Sequence, residues 1–356
     1  MPAAPIELTL GIRPRARFDV VDVRHLAQSL HGDVLDAYPH CLYASFHTTA
    51  GYLDQSLASR LARRRRGVDG YVQAFRTLFP EDAGYRHDAL DERHELSQDA
   101  RQVEPRNADS HLAFMAAGLS TCVTYRNRPH ASVDFVDLDG MNGDRPRQRT
   151  TTIVGYRQEV EVARVRLDVP VSAHPVDSIN LKDPRLGLYD QLAELIERQG
   201  VAKGRIQLAL CPRERSAGLT VNEYETLLMQ HDLMDVVRDP LRFMAEKSRS
   251  MLANPRAVPN RTLDYAKYDL VRAFNHVVDA LGLSESMLER LLSKAIAVPA
   301  AKFLRMKRGA NLLVSDRQSA GHGRIVEGTY QSTILVQWRP TISRVRHVDA
   351  TLYAFQ

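Results

Sequence analysis

Cysteine, tryptophan and long apolar runs are all scarce in this sequence. The 356 residues include three cysteines and one tryptophan. Cys41, Cys122 and Cys211 are far apart and form no CxxC pair, so they indicate neither a disulfide framework nor a zinc–thiolate cluster. No apolar run reaches the length of a membrane span, and the amino-terminal residues lack a signal-peptide core. We therefore predict a cytoplasmic protein with no membrane partner.

The charge balance is also modest. The chain has 48 Lys and Arg against 43 Asp and Glu, and 44% of its residues are hydrophobic, which is ordinary globular composition. Its length favours two domains, and nucleic acid is not an expected partner. A basic run at 60–66 is either a solvated helix face or an attraction for a phosphate-bearing substrate.

Hydrophobic periodicity predicts alternating strands and helices in the first half of the chain. We expect two strands in 6–23, and the run 81–110 reads as a polar surface segment, of the kind that is often functional. The remaining predicted elements are helices at 24–38, 52–79 and 110–119 and strands around 41–46, 120–126, 131–138 and 150–168.

The same order restarts after Val169. Alternation at 176–181, a helix at 187–199 and a strand at 205–211 repeat the start of the chain. The sharpest match sets HTTAGYLDQSL (47–57) beside ERSAGLTVNEYETLL (214–228). Such a long period implies two whole domains rather than a solenoid, and we predict domains at 1–172 and 173–356.

Six segments carry a resemblance to a known family. RFDVVDV (17–23), SFHTTAGY (45–52), AGYRHD (83–88) and NADSHLAFMAAGLS (107–120) resemble, in order and spacing, the YjbQ family, often called secondary thiamine-phosphate synthases. The second half resembles the same family through AGLTVNEYETLL (217–228) and GRIVEGTYQSTILVQW (323–338). The resemblance implies an α+β fold of two tandem domains, each with a β-sandwich-like core and flanking helices. Simple members of the family are homotrimers, which suggests that this chain is a homo-oligomer.

The resemblance also implies a metal site made by His47, His87 and His111. Three neutral imidazoles bind a divalent metal, zinc above all, and leave a fourth position open for water or substrate. Without the family, the alternative for these three among thirteen histidines is a set of surface or core residues.

Neighbouring polar residues have expected supporting roles. Asp88 follows His87, and Asn107 and Asp109 precede His111, so these three side chains are candidates to orient a ligand ring or hold a water.

Two threonines follow the first histidine directly. Thr48 and Thr49 stand where a helix is expected to begin near Tyr52. They either bind an anionic substrate group or simply cap that helix.

The two copies have lost different parts of the family pattern. In the first, Gln55-Ser56 replaces the family's Asn-Glu pair, and His130 stands at an aromatic position. In the second, Glu214 stands where the first histidine belongs, so no metal is expected there. The second copy keeps Asn222, Glu223, Glu225, Gly328, Thr329, Tyr330 and Gln331.

One hypothesis follows from these complementary losses. The first copy supplies the metal, and Glu223 or Glu225 of the second supplies a general acid or base. The rival hypothesis makes the second copy a structural relic whose acidic residues face water.

These expectations favour a metal-dependent enzyme, a transferase or lyase, acting on a small phosphate-linked metabolite. The alternatives are a metal-dependent hydrolase or lyase in a biosynthetic pathway and a non-catalytic binding or assembly protein. The candidate substrate-binding residues are Thr48, Thr49, Arg86, Asn107, Asn222, Tyr330 and Gln331.

Overall fold

The computed structural model describes residues 4–64, 67–85, 87–92, 98–173, 177–223, 307–317, 319 and 321–356. The chain forms two compact units. The first comprises Met1–Gln55, Leu119–Tyr224 and Lys307–Gln356, and the described part of the second lies within Ser56–Gly118. Within the described ranges, no helix is both long and apolar enough to cross a membrane.

The α-helices and 3-10 helices are short. The α-helices are α1 Val23–His31, α2 Gln55–Leu61, α3 Gly67–Leu78, α4 Gln98–Val103, α5 Ala108–Ala116 and α6 Leu188–Gln199. The 3-10 helices are Val34–Ala37, Leu90–Glu92 and Pro184–Leu186. The helix predicted at 52–79 is therefore two helices, because Gly67 adopts a φ of 56° at the start of α3.

The strands belong to the first unit. Those of the first copy are β1 Ile6–Ile12, β2 Asp19–Asp22, β3 His40–Ser45, β4 Ala50–Gly51, β5 Cys122–Arg126, β6 Asp134–Asp137, β7 Met141–Asn142, β8 Arg145–Pro146 and β9 Arg149–Tyr156. Those of the second copy are β10 Glu159–Pro170, β11 Asp177–Asn180, β12 Gly204–Leu210, β13 Ala217–Asn222, β14 Gly309–Ser315, β15 Arg324–Val326, β16 Ser332–Gln337 and β17 Val345–Phe355.

The order of the strands in the sheets repeats. The first copy has a sheet in the order β1-β9-β3-β5 and a second sheet in the order β2-β6-β4. The second copy has β10-β17-β12-β14-β15 and β11-β16-β13. Corresponding strands occupy corresponding places, and β15 is an added edge strand. The predicted α+β fold with two tandem copies is thus confirmed.

The second copy begins earlier than the sequence pattern indicates. The single strand predicted around 150–168 is two strands, and β10 pairs with β17 from Glu159↔Phe355 to Pro170↔Val345. The repeat of the topology therefore starts at Glu159 and not after Val169. That residues 1–172 and 173–356 form separate domains stays a prediction.

Both sheets of the second copy and α6 share one core. The apolar residues of α6 at helical spacing, Leu188, Leu192, Leu195 and Ile196, are buried against strand residues such as Ile206. Burying each such side chain contributes about 1.5–3 kcal/mol. The helix ends at Gly200, whose φ of 61° suits a glycine cap.

A smaller apolar cluster joins the main sheets of the two copies within the first unit. Its members are Leu42, Ala44, Cys122, Val154, Tyr156, Leu313 and Phe355, with Phe46 and Val326 packed against them. The rings of Tyr156 and Phe355 stack with centroids 3.9 Å apart. The copies are therefore connected by side-chain packing as well as by the chain.

The second unit contains helices α2 to α5 in its described part. Helix α3 packs on α5, and the Tyr71 hydroxyl donates to the Ala117 carbonyl over 2.9 Å. The prediction that 81–110 is a surface segment is wrong for several residues, because Ala83, Tyr85 and His87 are buried. A short helix, α4, also forms there.

Candidate functional site

Two of the three predicted metal ligands lie side by side in the second unit. His87 and His111 are both fully buried, and their ring centroids are 5.4 Å apart. A ring nitrogen of one lies within 4.8 Å of a ring nitrogen of the other. His111 is carried by α5, whereas His87 lies in the irregular segment before it. The two histidines are far apart in the sequence, so tertiary packing brings their rings together.

Asp88 fixes the orientation of the His87 ring. The Nδ1 atom of His87 and the Oδ1 atom of Asp88 are 2.9 Å apart. The same Oδ1 accepts the backbone N–H of Ala108, the first residue of α5, over 3.1 Å. Since a carboxylate only accepts, Nδ1 carries the hydrogen of this bond, and Nε2 is the ring nitrogen that would bind a metal. This is the arrangement in which a carboxylate orients a histidine toward a metal.

The other predicted neighbours of His111 are also buried. Asn107 precedes α5, and its carbonyl accepts the backbone N–H groups of Ser110 and His111. Asp109 is 4% exposed and accepts the Ser110 hydroxyl over 3.3 Å. Buried polar side chains of this kind require hydrogen-bond partners, and this part of the segment does not face solvent.

His47 lies in the first unit, in the loop after β3. Its Nε2 accepts the backbone N–H of Thr150 over 2.8 Å. Burial, together with the smaller effect of the charges of Arg149 and Arg147, lowers the pKa of His47 to about 3. The ring is therefore neutral at physiological pH, with its proton on Nδ1.

This hydrogen bond bears on the predicted role of His47 as a metal ligand. A neutral imidazole has one lone pair on its ring nitrogens, and here that pair accepts the Thr150 N–H. Metal binding by His47 thus requires this bond to open. The role of His47 as a third ligand stays a prediction.

The capping role considered for the two threonines is wrong. Strand β4 follows Thr49 directly, and the next helix begins only at Gln55. The Thr49 carbonyl accepts the Leu138 N–H, and its hydroxyl lies 3.4 Å from the Arg149 guanidinium. Thr48 and Thr49 thus lie in the bend before β4, whose residues Ala50 and Gly51 pair with β6.

A buried ion pair lies next to Thr150, the hydrogen-bond partner of His47. Arg149, the first residue of β9, donates through Nε and Nη2 to the carboxylate of Asp137 over 2.8 and 3.0 Å. Arg149 also donates to the carbonyl of Asp139. Burial raises the pKa of Asp137, while Arg149 acts in the opposite direction. A bidentate pair of this kind holds a rigid geometry.

The second copy repeats this arrangement with one exchange. Arg346 donates to Gln337 over 3.0 Å and to the carbonyl of Arg339. Gln337 pairs with Ala217 in the sheet, just as Asp137 pairs with Ala50. Gln337 therefore takes the place of Asp137, and Arg346 that of Arg149.

The missing negative charge comes from the loop. Glu214 forms an ion pair with Arg346 over 2.6 Å, and its other oxygen accepts the His347 N–H over 3.1 Å. Thus Glu214 accepts a strand N–H in the second copy, as His47 does from Thr150 in the first. At this position each copy pairs a buried arginine with a buried carboxylate, Arg149 with Asp137 and Arg346 with Glu214, so replacing the histidine by a glutamate preserves the charge balance of the arrangement.

The remaining sequence candidates fall in different places. Asn222 is fully buried at the end of β13, and its side chain accepts the N–H of the half-buried Glu223 over 2.8 Å. Tyr330 is 71% exposed, whereas Gln331 is buried. Arg86 and Glu225 lie outside the described residues.

Sequence reasoning missed Asp137, Arg149, Gln337 and Arg346. Gln337 lies within the quoted segment 323–338, but the resemblance did not single it out, and the partners of all four lie on different strands, so no local pattern reveals these contacts. One signal was available, because an arginine lies at or next to the start of the last strand in both copies.

Comparison with known proteins gives structural matches only. No family model matches the chain. No curated protein matches it either.

Several solved structures are similar to about half of the chain. A YbjQ-like protein of unknown function from Sulfolobus solfataricus is 17% identical, with a TM-score of 0.29, and the match covers 55% of this chain and 99% of that one. An uncharacterized protein of the yjbq/upf0047 family from Clostridium acetobutylicum is 12% identical, with a TM-score of 0.26 and coverages of 53% and 98%. A hypothetical protein from Aeropyrum pernix is 16% identical, with a TM-score of 0.28 and coverages of 55% and 100%.

Each matched chain is covered almost completely by about half of this chain. At such low identity and TM-score, the matches say nothing about what this chain binds or converts.

Proposed function

We propose that this chain is a metal-dependent enzyme whose divalent metal, zinc by its donor chemistry, is held by His87 and His111. The observation that supports this is the buried histidine pair, with one ring oriented by Asp88. Neutral imidazoles suit zinc, and a carboxylate on the second ring nitrogen raises the basicity of the ligand. The donor set therefore fits the metal that the family resemblance implies.

The metal would supply Lewis-acid chemistry at its open coordination position. Asp88 keeps the ring of His87 in the tautomer that binds metal, and α5 holds His111 in a water-poor interior. We propose a transferase or lyase reaction on a small phosphate-linked metabolite, in a cytoplasmic protein. His47 is the proposed third ligand, and Glu223 the proposed acid or base.

Metal content per chain tests this proposal. Elemental analysis of the untagged wild type is expected to give about one divalent metal per chain, because structural and catalytic zinc sites bind tightly near neutral pH. His87→Ala and His111→Ala are each expected to lose it. His25→Ala, which changes an exposed histidine on α1, is the matched control and should retain the metal.

His47→Ala answers a separate question in the same experiment. Loss of metal in this variant supports the three-histidine site, whereas retention leaves a site without His47. A wild-type protein without metal after expression in zinc-supplemented medium contradicts the proposed function. If metal is present, a screen of phosphate-linked metabolites with and without chelator identifies the reaction class.

A further inference from the structure

We propose that the turn Gly328–Gln331 of the second copy positions the loop of the first copy that carries His47, and that Gln331 is the positioning residue. We call residues 45–47 the His47 loop. The contacts stand independently, but their importance for activity rests on the proposed function.

Gln331 ties the turn to the His47 loop through its side-chain amide. Its Nε2 donates to the carbonyl of Ser45 over 2.9 Å and to the carbonyl of His47 over 3.1 Å. Its Oε1 accepts the backbone N–H of Gly328 over 2.9 Å. The side chain is only 2% exposed, so water competes little for these bonds. Both amide groups are used, and both carbonyls belong to the other copy.

Gly328 allows the two backbones to approach closely enough for these bonds. A Cβ atom at this position would lie 1.9 Å from the carbonyl oxygen of Phe46, which is inside any van der Waals contact. Phe46 is the middle residue of the His47 loop. The glycine is thus required by a close approach and not by a turn conformation.

A polar network holds the turn itself. Lys182 donates to the carbonyl of Gln331 over 2.9 Å and forms an ion pair with Glu327 over 3.3 Å. The hydroxyl of Tyr189 donates to the other oxygen of Glu327 over 2.9 Å. Lys182 and Tyr189 belong to the second copy. Contacts within the second copy therefore fix the conformation of the turn that contacts the first copy.

The first copy lacks these features at the corresponding turn. Strands β6 and β16 hold the same place in their sheets, which sets Arg128 against Gly328 and Ala131 against Gln331. Arg128 and Ala131 are exposed. An alanine has no amide to donate, and an arginine would not fit a close backbone approach. Of these two corresponding turns, the one with the glycine and the glutamine is therefore the turn of the second copy, which contacts the His47 loop.

In positioning the His47 loop, the second copy has a role that differs from both sequence hypotheses. As a positioning element it is more than a relic, and it needs no acid or base of its own. The Thr150 N–H donates to Nε2 of His47, and Gln331 holds the carbonyls of Ser45 and His47, so a shift of the loop backbone would move the ring relative to that donor. Loss of the two Gln331 bonds should therefore be visible at the ring of His47.

Gln331→Glu tests this with little change of shape. An ionised carboxylate donates no hydrogen bond and a protonated carboxyl donates one, so at least one of the two bonds to the His47 loop is lost in either state, while that to Gly328 N–H remains compatible. The readout is the ring ¹⁵N spectrum of chelator-treated protein labelled on histidine, with the His47 signals assigned through His47→Gln. In the wild type we expect the Nδ1–H tautomer, and in Gln331→Glu its loss to a mixture or to the Nε2–H form.

Thr333→Val is the matched control. It removes a buried hydroxyl two residues away whose partner, Tyr189, belongs to the second copy. We expect the His47 tautomer to be unchanged in this variant. An unchanged His47 spectrum in Gln331→Glu overturns the proposal, and so does an equal change in both variants. Because the protein is metal-free, a failure of the metal proposal leaves this result interpretable.

Discussion

Glu214→Gln is expected to destabilise the protein by about 3–5 kcal/mol, the usual cost of removing one partner from a buried ion pair. The side chains of Arg346 and Glu214 are 4% and 11% exposed, and Gln337, the other side-chain partner of this arginine, is uncharged. The variant therefore leaves the positive charge of Arg346 buried without a carboxylate. Urea unfolding of both proteins measures the difference.

A second substitution, based on the Asp137 of the first copy, is expected to restore the lost stability. Gln337→Glu places a carboxylate where the first copy has Asp137, so the double variant should recover more than half of the stability lost in Glu214→Gln. Gln337→Glu alone puts two carboxylates on one arginine and is expected to be less stable than the wild type. Additive effects in this double-mutant cycle would falsify the charge-balance explanation.

Gly328→Ala is expected to destabilise the protein by about 1–3 kcal/mol, the range for overpacking a closed site. Its new methyl group meets backbone and not the end of a flexible side chain, because the Phe46 carbonyl oxygen lies 1.9 Å away. One of the two segments must then move. The measurement is again the free energy of unfolding.

Gly11→Ala is the control for this prediction. Gly11 lies in strand β1, and a Cβ atom there meets nothing within 4 Å. We expect a change within about 0.5 kcal/mol, as for surface substitutions in general. If Gly328→Ala behaves like this control, the two backbones do not approach as closely as described.

The elements of the fold were predictable where periodicity is local. The two strands predicted within 6–23 are β1 and β2, and the helix predicted at 187–199 is α6 at Leu188–Gln199. The break between β9 and β10 was not predictable, because no proline marks it and strand-like alternation continues across it. The backbone N–H groups of Arg157 and Gln158 both donate to the carbonyl of Gln356, which no local pattern reveals.

The pair His87–His111 and its support Asp88 were predictable from the motifs, whereas the supports on the strands were not. Motif resemblance pointed to His87 and His111, which the second unit does bring together. It also pointed to Gln331, but as a substrate contact rather than as a donor to the His47 loop. The Arg149–Asp137 pair was missed because Arg149 lies on β9 and Asp137 on β6, and these strands belong to different sheets.

The pairing of β10 with β17 has a consequence for folding during synthesis. This ladder joins residue 159 to residue 355 and residue 170 to residue 345. The main sheet of the second copy therefore forms completely only after residues 345–355 have left the ribosome. The sheet of the first copy needs nothing beyond Tyr156. The first copy can therefore form its strands early, but its His47 loop gains the two bonds from Gln331 only after that residue of the second copy has emerged.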